Sequence, residues 1–172
     1  MEKQAATIVY GLDTAGGAQG VRSAEMVSAV AGIAQGAQIR TLEGDLPIEY
    51  LGPGDRIVTR SGMRVLRAVS VQQADRDVLC VTAGSIGHGR PQGPLYVGAR
   101  TRLRVSGWRA EALYGAAEAE IEAARLCDGT LVQAVSGRSI YLYMLHFDAP
   151  ETVFAEGVEV AAATVDQPAE RA

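Results

Sequence analysis

Three short apolar runs follow one another between residues 36 and 62, each separated from the next by residues that favour chain reversal. They are centred on Ile39, on residues 46–51 and on residues 56–59. Apolar runs of this length between turn residues are typical of β-strands. The stretch therefore predicts three consecutive strands joined by tight turns, and little else in the chain constrains the fold as strongly.

The sharpest local prediction is the turn at residues 52–55, with the sequence GPGD. Pro53 presets the backbone angle of the first central position, and Gly54 accepts the positive φ that a type II turn requires at the second. The segments EGD at 43–45 and RSG at 60–62 predict the other two reversals, again through glycine.

The rest of the chain repeats this pattern of short strands and frequent turns. Strands are predicted at residues 6–10, 63–71, 78–82, 95–97, 101–105, 130–135, 139–147, 152–154 and 158–160. Helical spacing after Ser23 predicts a short helix over 23–31, and the Ala- and Glu-rich segment 110–125 also favours a helix on intrinsic propensity. The polar segment 72–77 and the glycine-rich segment 84–94 are predicted to be loops. The pattern predicts an all-β barrel or folded sheet.

Composition excludes several classes of protein. A chain of 172 residues with 48% hydrophobic residues can bury the core of one domain. The net charge of -4 gives no broad attraction to nucleic acid or to an anionic membrane. No apolar run approaches the length of a membrane helix, and the first residues lack a secretory pattern. We therefore expect this chain to be soluble and cytoplasmic, an expectation that fails if it is part of a larger secreted protein.

The cysteines and histidines do not form a recognisable metal motif. Cys80 and Cys127 have apolar neighbours, which predicts reduced, buried thiols. Together with His88 and His146 they match no compact pair of zinc ligands. The sequence predicts no metal and no cofactor.

The order of several segments resembles the bacterial branch of the Hint family, whose fold is shared by inteins and hedgehog autoprocessing domains. The segments are AQGAQIRTLEGDLPIEYLGPGDRIVT, GSIGHGRP, LYVGARTRL with GWRAEALYG, and FAEGVEV. They span roughly residues 30–160. The resemblance implies a Hint-type horseshoe of short strands with pseudo-two-fold symmetry and one or two short helices. It also implies extended backbone near 110–114, with at most a short helix near 123–127.

The resemblance divides the chain into three parts. Residues 1–31 are expected to be an N-terminal strand and short helix that pack on the domain or lead into it. Residues 32–163 are expected to form the Hint-type domain, and residues 164–172 a flexible tail.

An active Hint domain attacks its own backbone. A cysteine or serine at its start performs an acyl shift on the preceding peptide bond, and histidines protonate the leaving group. The resemblance places Gly32 at the nucleophile position and Thr101 at the histidine position, while Met144 and Pro150 match two further histidine positions of this branch. Glycine carries no nucleophile, and threonine cannot replace imidazole as an acid near neutral pH. A terminal His-Asn pair is also missing.

These substitutions lead to one principal hypothesis and two alternatives. The principal hypothesis is a degenerate Hint-type domain without self-cleavage that serves as an interaction or structural module, with no catalytic residue and with vestigial positions at Gly32, Thr101, Met144 and Pro150. The first alternative is an active autoprocessing domain with an unrecognised nucleophile, such as Ser28, Thr41, Cys80 or Cys127. The second is a small-molecule or metal-binding module in the vestigial cleft.

The expected partner is an unknown protein or peptide. Edge strands of a flattened sheet can pair with another chain, so a homodimer is compatible with the sequence. Neither nucleic acid nor a membrane is expected as a partner.

Overall fold

The structure is a computed structural model that describes residues 8–11 and 30–165. In these ranges the chain is mostly β, in agreement with the predicted class. The strands, in chain order, are β1 Ile8–Gly11, β2 Ile33–Ala34, β3 Gln38–Thr41, β4 Gly44–Pro47, β5 Arg56–Thr59, β6 Gly62–Val65, β7 Ala68–Ala74, β8 Val78–Val81, β9 Leu95–Gly98, β10 Arg102–Ser106, β11 Glu118–Glu122, β12 Val132–Val135, β13 Ile140–Phe147, β14 Thr152–Ala155, β15 Val158–Ala161 and β16 Ala163–Thr164. The helix α1 is Trp108–Tyr114, and 3-10 helices occupy Ile48–Tyr50 and Ala123–Leu126.

The first sheet has the strand order β1-β7-β13-β2-β9-β8-β12, with β16 beside β13. Its neighbours are antiparallel apart from β16, which runs parallel to β13. The longest pairing joins β7 to β13, where Ser70 lies opposite Met144 and Gln72 opposite Leu142. The short strand β2 lies between β13 and β9, in the middle of this sheet.

The second sheet has the order β11-β10-β15-β14-β3-β5-β6, with β4 beside β3. All of its pairings are antiparallel. Alternation along β10 and β15 buries Leu103, Val105, Val158 and Val160 on one face. Those side chains join apolar residues of the first sheet in one large core cluster.

The turn predicted at residues 52–55 is confirmed. Gly54 has a φ of +97°, and the Asp55 N–H donates to the Gly52 carbonyl at 3.1 Å. The Asp55 carboxylate also accepts a hydrogen bond from the Gly52 N–H at 2.8 Å. The apolar run at 46–51 is not one strand, because β4 ends at Pro47 and a 3-10 helix follows.

Residues 108–126 correct two predictions. The helix α1 covers Trp108–Tyr114, where the family resemblance implied extended backbone, and Gly115 ends it with a φ of +66°. The rest of the Ala- and Glu-rich segment is the strand Glu118–Glu122, which pairs with β10 and overrides its helical propensity. The short helix implied near 123–127 is present as the 3-10 helix Ala123–Leu126.

Other predictions have mixed outcomes. The predicted strand 63–71 is divided between β6 and β7, and β7 continues to Ala74, so Gln72 lies in a strand and the predicted exposed loop at 72–77 starts too early. The segment 84–94 is irregular as predicted. Most of the helix predicted at 23–31 lies outside the described residues. Within those residues, no helix is long and apolar enough to cross a membrane.

Candidate functional site

Thr101 and Gly32 are joined by two hydrogen bonds through one hydroxyl group. The Gly32 N–H donates to Thr101 Oγ1 at 2.9 Å, and Thr101 Oγ1 donates to the Gly32 carbonyl at 3.0 Å. The Gly98 N–H also donates to that carbonyl at 3.0 Å. Thr101 is only 2% exposed, so water does not compete for these bonds. Two positions that the sequence singled out therefore lie in direct contact.

The chain immediately before Gly32 is also held in place. The Arg100 N–H donates to the Val30 carbonyl at 3.0 Å, and Gln72 Nε2 donates to the Ala31 carbonyl at 2.7 Å. The backbone of Val30 and Ala31 passes directly over Gly98, where an added Cβ would lie 2.5 Å from the Val30 carbonyl oxygen. The Ala31–Gly32 peptide is therefore hydrogen-bonded on both its N–H and its carbonyl.

Gly32 occupies a conformation that other residues rarely adopt. Its φ is +134°, and a Cβ placed on it would lie 3.0 Å from the Tyr143 carbonyl oxygen and 3.1 Å from Leu142 Cβ. L-residues avoid this region of φ because the Cβ clashes with the backbone. The position favours glycine on both conformational and steric grounds.

A small apolar cavity lies beside this contact. Gly32, Thr101 and Met144 line it together with Ile33, Leu145, Val153, Val160, Ala161 and Ala162. Its volume is about 10 Å³, roughly the space of a single water molecule. Pro150 is exposed and is not among the lining residues. The structure thus brings together three of the four singled-out positions and leaves Pro150 apart.

Glu151, next to Pro150, is a buried acid that sequence reasoning missed. It is 8% exposed, its carboxylate accepts a hydrogen bond from Arg64 Nε at 2.8 Å, and Thr59 Oγ1 lies 2.9 Å from its other oxygen. Burial by itself raises the pKa of Glu151, but hydrogen bonds from Thr59, Ser61 and Arg64 outweigh it and hold the pKa below its ordinary value of 4.5. Nothing in the local sequence distinguishes this glutamate from an exposed one.

We expect this network to make the stability depend on pH. A depressed folded pKa contributes stability above the unfolded value, and that contribution is lost as pH falls through the folded pKa. Glu151→Gln should lower the free energy of unfolding by about 1–3 kcal/mol at neutral pH. Urea unfolding between about pH 7 and about pH 3 should show a smaller loss on acidification in the variant than in the wild type. Parallel curves for the two proteins would contradict this account.

Two missed residues in this region are Gly98 and Gln72. Gly98 follows the strand predicted at 95–97, and a single glycine gives no sequence signal for a close backbone crossing. The polar neighbours of Gln72 predict that it lies in an exposed loop. Its half-buried side chain instead reaches the Ala31 carbonyl.

The histidines and alternative nucleophiles have separate environments. His146 Nε2 lies 2.8 Å from Ser70 Oγ, while His88 is exposed on the glycine-rich loop with a φ of +52°. Thr41 is buried and donates to the Gly44 carbonyl in a hairpin. Ser28 lies outside the described residues.

The thiols differ from the prediction in burial. Cys80 is half-buried and Cys127 is exposed, so Cys127 is not the buried hydrophobe expected, and the two are not joined by a disulfide. Among the described residues, no group of three His, Cys, Asp or Glu side chains is arranged to hold a metal ion.

Comparison with known proteins identifies the architecture. The sequence profile of a family described as Hint domain matches residues 31–166. The fold is similar to the solution structure of a bacterial intein-like domain from Clostridium thermocellum, with a TM-score of 0.53 and 15% identity over 78% of this chain and 99% of that chain. It is also similar to the crystal structure of the TvoVMA intein, with a TM-score of 0.53 and 13% identity over 76% and 96% of the two chains. No curated protein matches the chain.

Proposed function

This chain belongs to the Hint domain family, and on that premise we propose that it is a member without self-cleavage that works as a structural or interaction module. The observation that carries the proposal is the environment of Gly32. Gly32 has no side chain to attack the Ala31 carbonyl. The hydroxyl of Thr101 forms hydrogen bonds with both the N–H and the carbonyl of Gly32. Acyl transfer needs a nucleophile and a proton donor, and neither position supplies one.

The upstream contacts support a structural role. The carbonyls of Val30 and Ala31 accept hydrogen bonds from Arg100 N–H and Gln72 Nε2. Further upstream, β1 pairs with the edge of β7 through the register Ile8 opposite Val71 to Gly11 opposite Ala68. Hydrogen bonds and sheet pairing therefore hold the described part of the N-terminal segment against the domain, as expected of a module that retains this segment. Its partner would be a protein or peptide.

Intact-mass spectrometry of the purified full chain tests the proposal. We expect one species of 18.1 kDa after prolonged incubation, with or without dithiothreitol or hydroxylamine, which would release any thioester or ester intermediate. A fragment that ends at Ala31, with its complement beginning at Gly32, would overturn the proposal.

One observation favours a second candidate, autoprocessing through a relocated nucleophile. Ser70 Oγ lies 2.8 Å from His146 Nε2, and the other ring nitrogen lies 3.5 Å from the Thr164 carbonyl oxygen. Ser70 and Gln72 occupy the same face of β7, and Gln72 donates to the Ala31 carbonyl. A hydroxyl beside an oriented imidazole is the arrangement from which a serine nucleophile is activated.

The reaction would proceed by acyl transfer to Ser70. Its hydroxyl proton would pass to His146, Ser70 Oγ would bond to the Ala31 carbonyl carbon, and the Ala31–Gly32 bond would break with the proton delivered to the Gly32 amine. Water would then hydrolyse the ester. If a fragment ending at Ala31 is found, Ser70→Ala tests whether Ser70 is the nucleophile. Cleavage should be lost in Ser70→Ala and retained in the control variant Thr41→Ser.

The cavity beside Gly32 gives little support to the third idea, a small-molecule module at the vestigial site. A volume of about 10 Å³ admits no organic ligand without rearrangement of the core.

A further inference from the structure

A second, larger cleft lies on the outer face of the second sheet, away from Gly32. Its volume is about 250 Å³. The floor comes from adjacent strands β3, β14, β15 and β10, and one wall is the glycine-rich loop at 86–90. The charged and aromatic residues that line it are Arg40, His88, Arg90, Arg104, Glu118, Phe154 and Glu159.

The acids at one side of this cleft are already neutralised. Glu118 Oε2 lies 3.1 Å from both Arg60 Nη2 and Arg104 Nη1, and Glu159 Oε2 lies 3.2 Å from Arg60 Nη1. Hydrogen bonds from Arg60 and Arg104 hold the pKa of Glu118 below its ordinary value. Two carboxylates are therefore matched by two guanidinium groups.

Two further guanidinium groups remain in excess. Among the described residues, neither Arg40 nor Arg90 has a carboxylate within ion-pair distance. The cleft consequently carries uncompensated positive charge although the chain as a whole has a net charge of -4. Local positive charge in a concave site attracts anions, because field lines concentrate there.

Both excess arginines are positioned by contacts that leave donors available. The Arg40 guanidinium carbon lies 4.9 Å from the centre of the Phe154 ring, a cation–π contact, and its N–H groups donate no hydrogen bond to the described residues. Arg90 Nη1 donates to the Gly157 carbonyl at 3.0 Å, and its side chain passes directly over Gly157, where an added Cβ would overlap the guanidinium group. The absence of a side chain at Gly157 makes room for Arg90.

The loop that forms the wall is fixed by its own backbone. The Arg90 N–H donates to the Gly87 carbonyl, the Ile86 N–H donates to the Arg90 carbonyl, and the Gln92 N–H donates to the Glu156 carbonyl. Gly87, His88 and Gly89 all have positive φ. In this conformation His88 and Arg90 line the cleft. The glycine-rich segment therefore forms part of a candidate binding site in addition to connecting two strands.

We propose that this cleft binds a small organic anion through a carboxylate or phosphate group held by Arg40 and Arg90. Guanidinium groups match the planar edge of both anions and bind them through paired hydrogen bonds. The volume suits a compact metabolite and not a drug-sized molecule. The site is separate from the cavity beside Gly32 and Thr101, because the two cavities share no lining residue.

Titration of the full chain by calorimetry and by amide chemical shifts tests the site. The probes are glycerol 3-phosphate, succinate and, as a neutral control, glycerol. Saturable binding of at least one anion below about 10 mM, with shifts concentrated at residues 86–90 and 157–159, supports the proposal. Binding of one anion and not the other assigns the phosphate or the carboxylate class. Absence of binding for both anions, or equal binding of glycerol, overturns it.

Matched variants localise the binding. Arg40→Gln and Arg90→Gln should each weaken binding about tenfold, as expected for loss of one charge-assisted contact. Arg56→Gln removes the same charge from an exposed pair with Glu43 outside the cleft and should change the affinity less than about twofold. Equal weakening by Arg56→Gln would overturn the proposal. A matching thermal unfolding curve for Arg40→Gln verifies that the loss of binding is not a loss of folding.

Discussion

Replacement of Gly98 by alanine is expected to lower the free energy of unfolding by about 3 kcal/mol, within the upper range for overpacked sites. The new Cβ would lie 2.5 Å from the Val30 carbonyl oxygen, 2.7 Å from its carbon and 2.8 Å from Ala31 Cα. All three are backbone atoms, so no side-chain rotation relieves the overlap, and the segment of Val30 and Ala31 must move away from β9. Urea unfolding measures the loss, and faster hydrogen exchange of the Arg100 amide reports the displacement.

Gly52→Ala is the matched control for this substitution. Gly52 has open space around its Cβ position, and its φ is not in the left-handed region. Its alanine variant should stay within about 0.5 kcal/mol of the wild type. If Gly98→Ala is equally mild, the close crossing of Val30 and Ala31 over β9 is not part of the folded protein.

The double variant Gly32→Cys, Thr101→His is expected to remain uncleaved and to lose about 3 kcal/mol of stability or more. The cysteine would have to adopt a φ of +134° with its Cβ against Tyr143 and Leu142. The imidazole would replace a 2% exposed threonine beside a cavity of only about 10 Å³. A cysteine at position 32 and a histidine at position 101 therefore do not fit the space that the fold provides. Intact mass with and without thiol, together with urea unfolding, measures both outcomes.

Gly36→Cys separates conformational strain from crowding in this experiment. Gly36 also has a positive φ, +88°, but nothing lies within 4 Å of its Cβ position. Its cysteine variant should lose about 1 kcal/mol, the cost of the left-handed conformation alone. A thiol-dependent fragment ending at Ala31 in the double variant would mean that the site has lost only its side chains and has kept the geometry for cleavage.

Sequence reasoning reached the fold class and the turn at residues 52–55 because both depend on local rules. Alternating apolar residues and the Pro53-Gly54 pair act over a few positions. It was wrong at 118–122, where pairing with β10 forms a strand despite the helical propensity of the residues. It was also wrong at Gln72, where polar neighbours predicted a loop but the side chain binds the Ala31 carbonyl. In both cases the deciding partner is distant in sequence, so no local pattern reports it.

The candidate site divides in the same way. Family resemblance identified Gly32, Thr101 and Met144, which the structure places around one cavity, and also Pro150, which lies outside it. Gly98 and Glu151 were not recognised, because their importance comes from a backbone crossing and from burial beside Arg64.

By itself, the sequence determined which side chains are present: a glycine at position 32 and a threonine at position 101, which the family resemblance predicts to be the nucleophile and histidine positions. The tertiary structure decided what those residues do. It places Thr101, 69 positions away, within hydrogen-bonding distance of Gly32 and packs Tyr143 and Leu142 where a Cβ would go. The physical reason is that side-chain identity is encoded position by position, whereas hydrogen-bond partners and free volume are created only when distant strands meet.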